Sequence, residues 1–212
     1  MTTIYLMRHG ESTSNVTHIA SGRLNVALTL NGMAQAKKAA AYLADKNIQR
    51  IYVSNLVRTA MTAQPTAELL GLEMEIEPDI CEIDLGHWEG LLVKDIEVLY
   101  PEEMKAWEEK VEDARIKNGE TLTEVKHRMK NAMTKIAEDN PNKTILVTSH
   151  AIAMACFVCH VLGITFPEYR QMFPLMPNTI IFILTYENGK FTLQNRGTAQ
   201  HLEECASSTA QI

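Results

Sequence analysis

The chain has 212 residues, of which 46% are hydrophobic and 22% are charged, as in an ordinary globular protein with a substantial core. Its formal net charge of −6 argues against nucleic-acid binding through overall electrostatics, so an anionic ligand would need a local basic pocket. The apolar runs are too short for a membrane span or a secretory signal, and the four cysteines are irregularly spaced. We therefore expect a reduced, cytoplasmic protein with no nucleic-acid or membrane partner.

Strand-like and helical segments alternate along the chain. Short apolar runs predict strands at residues 4–7, 51–53, 74–76, 144–148, 179–186 and 191–194. Helical patterns occupy residues 29–46, 56–70, 93–100, 102–112, 121–140 and 151–162. Pro65 should disturb the second of these helices. The alternation predicts an α/β fold, a three-layer α/β/α sandwich with a mostly parallel central sheet.

The first segment with chemical character is Arg8-His9-Gly10, at the end of the first predicted strand. The strand fixes the backbone of His9, which can then present an imidazole nitrogen to a phosphate. Gly10 permits a sharp exit and the close approach of an anionic ligand. The planar fork of donors on Arg8 suits phosphate oxygens. For this triplet alone, a structural histidine at a strand end is an equally good interpretation.

Two further segments carry polar side chains at strand ends. Arg58 lies at the start of the helix after the second strand, where a guanidinium and a helix N-terminus together suit a phosphate. His150 follows a buried strand and opens the next helix. Taken singly, a surface arginine and a core histidine are the simpler interpretations. Because ligands bind beyond the carboxyl ends of parallel strands, we expect His9, Arg58 and His150 to lie at one site.

The loop at residues 79–90 contains two glycines and four carboxylates. A carboxyl group held near a phosphate dianion should have its pKa raised, which keeps it protonated as a general acid. We expect one or two of the four to reach the chemistry and the others to be surface charges.

Together, these segments resemble the histidine phosphatase superfamily, the phosphoglycerate-mutase-like clan. The resemblance extends from residue 4 to about residue 202 and rests on segments that occur in the family's order, namely 8–11, Arg58, 82–90 and 149–150. The sequence Gly-His-Trp-Glu-Gly at 86–90 is similar to the phosphatase branch. The resemblance implies an enzyme, a phosphatase that hydrolyses small phosphomonoesters through phosphohistidine, with no metal and no cofactor.

The resemblance also implies roles for single residues. His9 would be the nucleophile, Glu82 the proton donor, and His150 a catalytic and phosphate-binding residue. Arg8 and Arg58 would complete the phosphate pocket. The three positions that match the substrate-lining residues of the family are Asn15, Ser21 and Gly22.

The chemistry of phosphoryl transfer adds two expectations about the histidines. His9 must attack as a neutral imidazole through one ring nitrogen, so its other nitrogen should donate to a backbone carbonyl. A protonated His150 should help to balance the negative charge of the transition state.

Two alternative functions stay open. A phosphoglycerate mutase would need extra basic residues beyond the phosphate pocket, and between Trp88 and Arg128 the lysines and arginines are scattered. A catalytically inactive binding protein on the same fold is the second alternative. Its only sign is Ala151, where the family commonly has glycine.

The sequence also predicts how the chain is divided into a domain, an insertion and a tail. We expect a single domain at residues 1–202, a helical cap insertion at about 83–120 that forms one pocket wall, and a loose tail at 203–212. An apolar edge strand near 180–184 could pair with a second copy, and the resemblance implies that a homodimer can form. Glu11 and Glu120 are expected either to contact substrate or to serve as capping or solvated groups.

Overall fold

The computed structural model describes residues 1–203 and contains one mixed sheet. Its strands are β1 (Thr2–Arg8), β2 (Arg50–Val53), β3 (Met74–Ile76), β4 (Thr144–Ser149), β5 (Ile181–Glu187) and β6 (Lys190–Leu193). Its α-helices are α1 (Thr13–Thr17), α2 (Leu30–Leu43), α3 (Val57–Leu70), α4 (Val93–Leu99), α5 (Pro101–Glu109), α6 (Leu122–Glu138), α7 (Ala151–Leu162) and α8 (Phe166–Met172). The expected α/β fold is confirmed. Except for Glu203, the predicted loose tail lies outside the described residues.

The strands are arranged in the order β3-β2-β4-β1-β5-β6. β1, β2, β3 and β4 pair in parallel, whereas β5 runs antiparallel to both β1 and β6. The sheet is therefore mostly parallel, as predicted. The expected edge strand near 180–184 is wrong. β6 pairs with β5 from Leu184 to Glu187, and the chain after β6 covers the start of β5, where Ile181 bridges to Thr198 and the N–H of Ile183 donates to Asn195 Oδ1 at 2.8 Å.

Helices cover both faces of this sheet, and the pleat divides the strand residues between them. Ile4 and Leu6 of β1 pack with α6 and α7, whereas Met7 packs with α2 and α3 on the opposite face. All three side chains are fully buried, and each contributes roughly 1.5–3 kcal/mol of hydrophobic stabilisation. These two cores hold the central strands rigidly, and hence also the loops at their carboxyl ends.

The helices follow the predicted patterns with two differences. α6 buries the expected apolar stripe, and α7 is almost completely buried. α3 continues through Pro65 without interruption, because the neighbouring turns are packed in the core through Ala63 and Ala67. The short helices α1 and α8 were not predicted, since neither is long enough to show an apolar period.

Within residues 1–203, no single helix has the length and apolar composition of a membrane span, although α7 and α8 pass such a test together as a bent pair.

The segment expected to form a cap contains α4, α5 and a 3-10 turn at Gly86–Trp88. It has a small apolar cluster of its own, built on Trp88, Ile96 and Ile116. Trp88 also meets Trp107 edge to face, with ring centroids 5.9 Å apart. The boundaries of the cap and of the domain stay predictions.

The loop after β1 presses directly against the first turn of α2. A Cβ atom at Gly32 would lie 2.0 Å from the carbonyl oxygen of Glu11, and one at Gly10 would lie 2.7 Å from the carbonyl oxygen of Gly32. Thr29 Oγ1 and Asn31 Nδ2 donate to the Glu11 carboxylate at 2.6 and 3.0 Å. The Glu11 carboxylate thus holds Thr29, the N-cap residue of α2, whose Oγ1 accepts from the N–H of Gly32 at 3.0 Å. Contact of Glu11 with a substrate stays a prediction.

Gly32→Ala should destabilise the protein by about 2–3 kcal/mol, because the new methyl group must push the loop at Glu11 away from α2. This loss would occur even though alanine ordinarily favours a helix over glycine by roughly 1 kcal/mol. Urea denaturation measures the free energy of unfolding. The exposed neighbour Met33→Ala is the control and should change stability by less than about 0.5 kcal/mol. A Gly32→Ala variant as stable as wild type would contradict the close contact.

Candidate active site

The ends of three parallel strands bring the predicted phosphate residues together. His9 follows β1 and His150 follows β4, and these strands are paired with Arg8 opposite Ser149. The two imidazole rings have centroids 5.2 Å apart. Arg58, in the first turn of α3 after β2, donates from Nε to Nδ1 of His150 at 3.2 Å. His9, Arg58 and His150 therefore lie close together, as predicted.

The imidazole of His9 is held in one orientation. Its Nδ1 lies 2.7 Å from the carbonyl oxygen of Gly10, which can only accept a hydrogen bond, so Nδ1 carries the hydrogen. Nε2 is left with a lone pair, as expected for a nucleophile. Burial, followed by the charges of Arg58 and Arg8, holds the pKa of His9 well below its usual value, so the ring is neutral.

Without a bound phosphate the imidazole of His150 is also neutral. The protonated ring expected in the transition state stays a prediction. Burial and the charge of Arg58 hold the pKa of His150 well below its usual value. Because the guanidinium of Arg58 can only donate, Nδ1 of His150 accepts and Nε2 carries the hydrogen. Nε2 then donates to Ser54 Oγ at 2.8 Å, and Ser54 Oγ lies 3.0 Å from Thr59 Oγ1. This buried chain of hydrogen bonds fixes the tautomer of His150.

Arg58 also binds the loop predicted to line the substrate pocket. Its Nη1 and Nη2 donate to the carbonyl oxygens of Leu24 and Gly22 at 2.8 and 2.7 Å. The side chain is only 1% exposed, and burial lowers the pKa of Arg58 although the Glu82 charge opposes this. Gly22 has a φ of +42°, and a Cβ atom there would lie 2.2 Å from Oε1 of Glu89. Glycine is therefore required where this loop passes Arg58.

The other two predicted substrate-lining residues lie in the same neighbourhood. Ser21 precedes Gly22 and is half-buried. Asn15 reaches His9 through Asn178, whose Nδ2 lies 3.2 Å from Asn15 Oδ1 and 3.1 Å from the carbonyl oxygen of His9. Their contact with a substrate stays a prediction.

Arg8 adds a second guanidinium beside the histidines. Its Nη1 donates to the carbonyl oxygen of Met176, and its buried Nε has no partner within residues 1–203. Burial lowers the pKa of Arg8, while the charge of Glu82 acts in the opposite direction. Arg8 thus retains hydrogen-bonding capacity inside the site.

Glu82 is the carboxylate of the loop at 79–90 that interacts with both Arg8 and Arg58. It is 9% exposed, and its Oε1 accepts from the backbone N–H groups of Ile83 and Ala153 at 3.0 Å. Its Oε2 accepts from the N–H of Ile152 at 3.2 Å. Ile152 and Ala153 belong to the first turn of α7, so the carboxylate of Glu82 also faces the positive end of the helix dipole. These contacts fix the position of the carboxyl group, and its role as the proton donor stays a prediction.

The sequence analysis missed several residues that support the site. Thr62 of α3 accepts from the N–H of Gly10 at 2.9 Å, and Ser54 and Asn178 hold the histidines as described. Ser54 could have been found, because it lies in the same strand-to-helix loop as Arg58. Asn178 shows no signal in the sequence beyond its polar side chain. Ala151 starts α7 with helical backbone, so its methyl group introduces no backbone strain.

Cys156, Cys159 and His201 make no hydrogen bond to these residues within residues 1–203. Cys156 and Cys159 are buried in α7, and burial raises the pKa of both thiols, as expected for structural residues. His201 is buried and lies 2.9 Å from Thr179 Oγ1. Within the described part of the chain, no group of three or more His, Cys, Asp or Glu side chains is arranged to hold a metal ion.

Comparison with known proteins points to one family. The model of the histidine phosphatase superfamily (branch 1) matches residues 4–198. Phosphoserine phosphatase 1 of Hydrogenobacter thermophilus is 34% identical over 169 residues, which cover 80% of either chain. A probable phosphoglycerate mutase, GpmB of Proteus mirabilis, is 29% identical over 220 residues and all of both chains. The solved structure of a phosphoserine phosphatase mutant from Entamoeba histolytica in complex with phosphoserine is 25% identical, with a TM-score of 0.84 over 95% of this chain and 100% of that one.

The neutral histidines should make the protein less stable in acid. Below the usual histidine pKa of 6.5 the unfolded chain binds protons that the buried His9 and His150 do not, so lower pH favours unfolding. Between about pH 7 and about pH 5, His150→Gln should remove about 2 kcal/mol of this pH dependence. Urea denaturation at a series of pH values measures it. The exposed His127→Gln should keep the wild-type dependence, and an unchanged dependence in His150→Gln would contradict a neutral His150.

Proposed function

Because the chain belongs to the histidine phosphatase superfamily and is a phosphomonoester hydrolase, we propose that it transfers the phosphoryl group of its substrate to Nε2 of His9. The observation that carries this proposal is the hydrogen bond from Nδ1 of His9 to the carbonyl oxygen of Gly10, at 2.7 Å. It leaves Nε2 unprotonated, and the low pKa of the ring keeps it so. Such a nitrogen can attack phosphorus without first losing a proton.

Arg8 and Arg58 supply the positive charge for the transferring group. Phosphoryl transfer depends mainly on positioning and on stabilisation of charge over the phosphoryl oxygens. His150 contributes by orienting Arg58 through the 3.2 Å bond to Nε. A bound dianion favours proton uptake at Nδ1 of His150, which would turn this nitrogen from an acceptor into a donor toward a phosphoryl oxygen.

Glu82 acts in both halves of the reaction. The approach of a phosphate dianion favours a proton on its carboxyl group. In the first step the N–P bond to His9 forms, the P–O ester bond breaks, and the leaving oxygen takes the proton from Glu82. In the second step water gives a proton to Glu82 and attacks phosphorus, the N–P bond breaks, and its electron pair returns to Nε2.

The substrate is a small phosphorylated metabolite, and phosphoserine is one candidate because a relative 34% identical to this chain carries the name of a phosphoserine phosphatase. Asn15, Ser21 and Gly22 would line the pocket beside the phosphate. The described cysteines are unpaired and buried, which suits the reducing cytoplasm where we place the enzyme. A homodimer stays a prediction, but it can no longer be based on pairing between the strands near 180–184 of two copies.

His9→Ala should lower phosphate release by at least roughly 10³-fold, because no other imidazole nitrogen occupies its position. The assay measures phosphate released from phosphoserine, glycerol phosphate, sugar phosphates and 3-phosphoglycerate. Wild type incubated with labelled substrate should also yield acid-labile phosphoprotein, and His9→Ala should yield none.

The exposed His127→Gln serves as the control and should keep both activities. Rapid interconversion of 2- and 3-phosphoglycerate with little phosphate release would instead identify a mutase. Wild type that neither releases phosphate nor becomes labelled would indicate an inactive binding protein.

A further inference from the structure

A guanidinium outside the phosphate pocket holds the turn that carries Glu82. All five N–H groups of Arg128, on α6, have acceptors. Nε and Nη2 donate to the two carboxylate oxygens of Glu120 at 2.9 and 3.0 Å. Nη1 donates to the carbonyl oxygens of Asp79 and Cys81 at 2.8 and 2.7 Å. Nη2 also donates to the carbonyl oxygen of Glu82 at 2.9 Å.

This ion pair is shielded from solvent. The side chain of Arg128 is 12% exposed and that of Glu120 is 19% exposed, compared with 54% and 46% for the surface pair Arg115–Glu124. Burial raises the pKa of Glu120, but the hydrogen bond and charge of Arg128 more than offset this and lower it overall. A shielded pair costs desolvation energy and is weak evidence for stability, so the geometry that it fixes is the more informative feature.

As a result, Glu82 is held at both its backbone and its side chain. Arg128 binds its carbonyl oxygen, while the first turn of α7 binds its carboxylate. The carbonyl oxygen of Ile80, in the same turn, accepts from Ser149 Oγ at 2.7 Å. Every carbonyl from residue 79 to residue 82 thus has a side-chain donor, so the turn has no freedom to shift alone.

The same carboxylate connects this turn to the pocket loop. Oε1 of Glu120 lies 3.1 Å from Nη2 of Arg23, and its Oε2 accepts from the N–H of Asp84 at 3.0 Å. Arg23 lies between Gly22 and Leu24, whose carbonyl oxygens bind Arg58. The turn of Glu82 and the loop beside the phosphate pocket are therefore joined through Glu120.

We propose that Arg128, assisted by Glu120, is a positioning residue that keeps the carboxyl group of Glu82 in line with the leaving oxygen of the substrate. This inference rests on the proposed function, in which Glu82 protonates that oxygen as the P–O bond breaks. Lysine cannot replace Arg128, because its three donors sit on one nitrogen and cannot span both the carboxylate and the turn.

Two substrates with different leaving groups test the proposal. p-Nitrophenyl phosphate releases a stable phenolate that needs no proton, whereas glycerol phosphate releases an alkoxide that needs one. For Arg128→Lys and Glu120→Gln, kcat/KM for glycerol phosphate should fall about 10- to 100-fold, while kcat/KM for p-nitrophenyl phosphate should fall less than about threefold. The value of kcat/KM reports only the steps up to the formation of phosphohistidine, so it does not depend on the later hydrolysis of that intermediate.

The matched control is Arg115→Lys, which alters an exposed arginine–glutamate pair and should leave both values unchanged. If Arg128→Lys shows no cooperative unfolding transition, it is not natively folded. Glu120→Gln, which preserves the shape of the side chain, then serves as the test variant. Equal losses on both substrates, or no loss on either, would overturn the positioning role. Wild type that releases no phosphate from either substrate or from phosphoserine would instead refute the proposed function itself.

Discussion

The backbone hydrogen bond from the N–H of His9 to the carbonyl oxygen of Ser149, at 3.0 Å, is the constraint on which the site depends. It continues the parallel ladder of β1 and β4 by one residue beyond the strands. In parallel strands the side chains that follow the last pair leave the sheet at the same edge. His9 and His150 are thus neighbours because of sheet register, and the loops after these strands only refine their orientation.

The positive charge of the site comes from arginine side chains and not from the imidazoles. Two buried guanidinium groups, Arg8 and Arg58, lie beside two histidines that burial keeps neutral. The carboxylate of Glu82 lies near both guanidinium groups and accepts from three backbone N–H groups. A chain of net charge −6 thereby builds a small electropositive site, for which a phosphate dianion is the complementary ligand.

Local signals were enough to predict the strands and the long helices, and the family resemblance indicated which segments form the site. The edge position expected near 180–184 was wrong, because the place of a strand in a sheet depends on contacts that local patterns do not show. The low pKa of His150 also has no local signal, since it follows from complete burial beside Arg58. Arg128 lies on the polar edge of an amphipathic helix. The sequence pattern does not distinguish it there from an arginine that is exposed to solvent. Only the fold reveals the five acceptors around it.

The contact between Gly10 and Gly32 has a consequence for how the molecule can move. Because both Cβ positions are blocked by backbone atoms, no flexible side chain separates the loop of His9 from α2. The first turn of α2, whose Leu30 is 84% exposed, is therefore packed directly on the loop of His9. Any displacement of this exposed turn must be taken up by the loop of His9, so the outer surface of α2 is coupled to the geometry of the site.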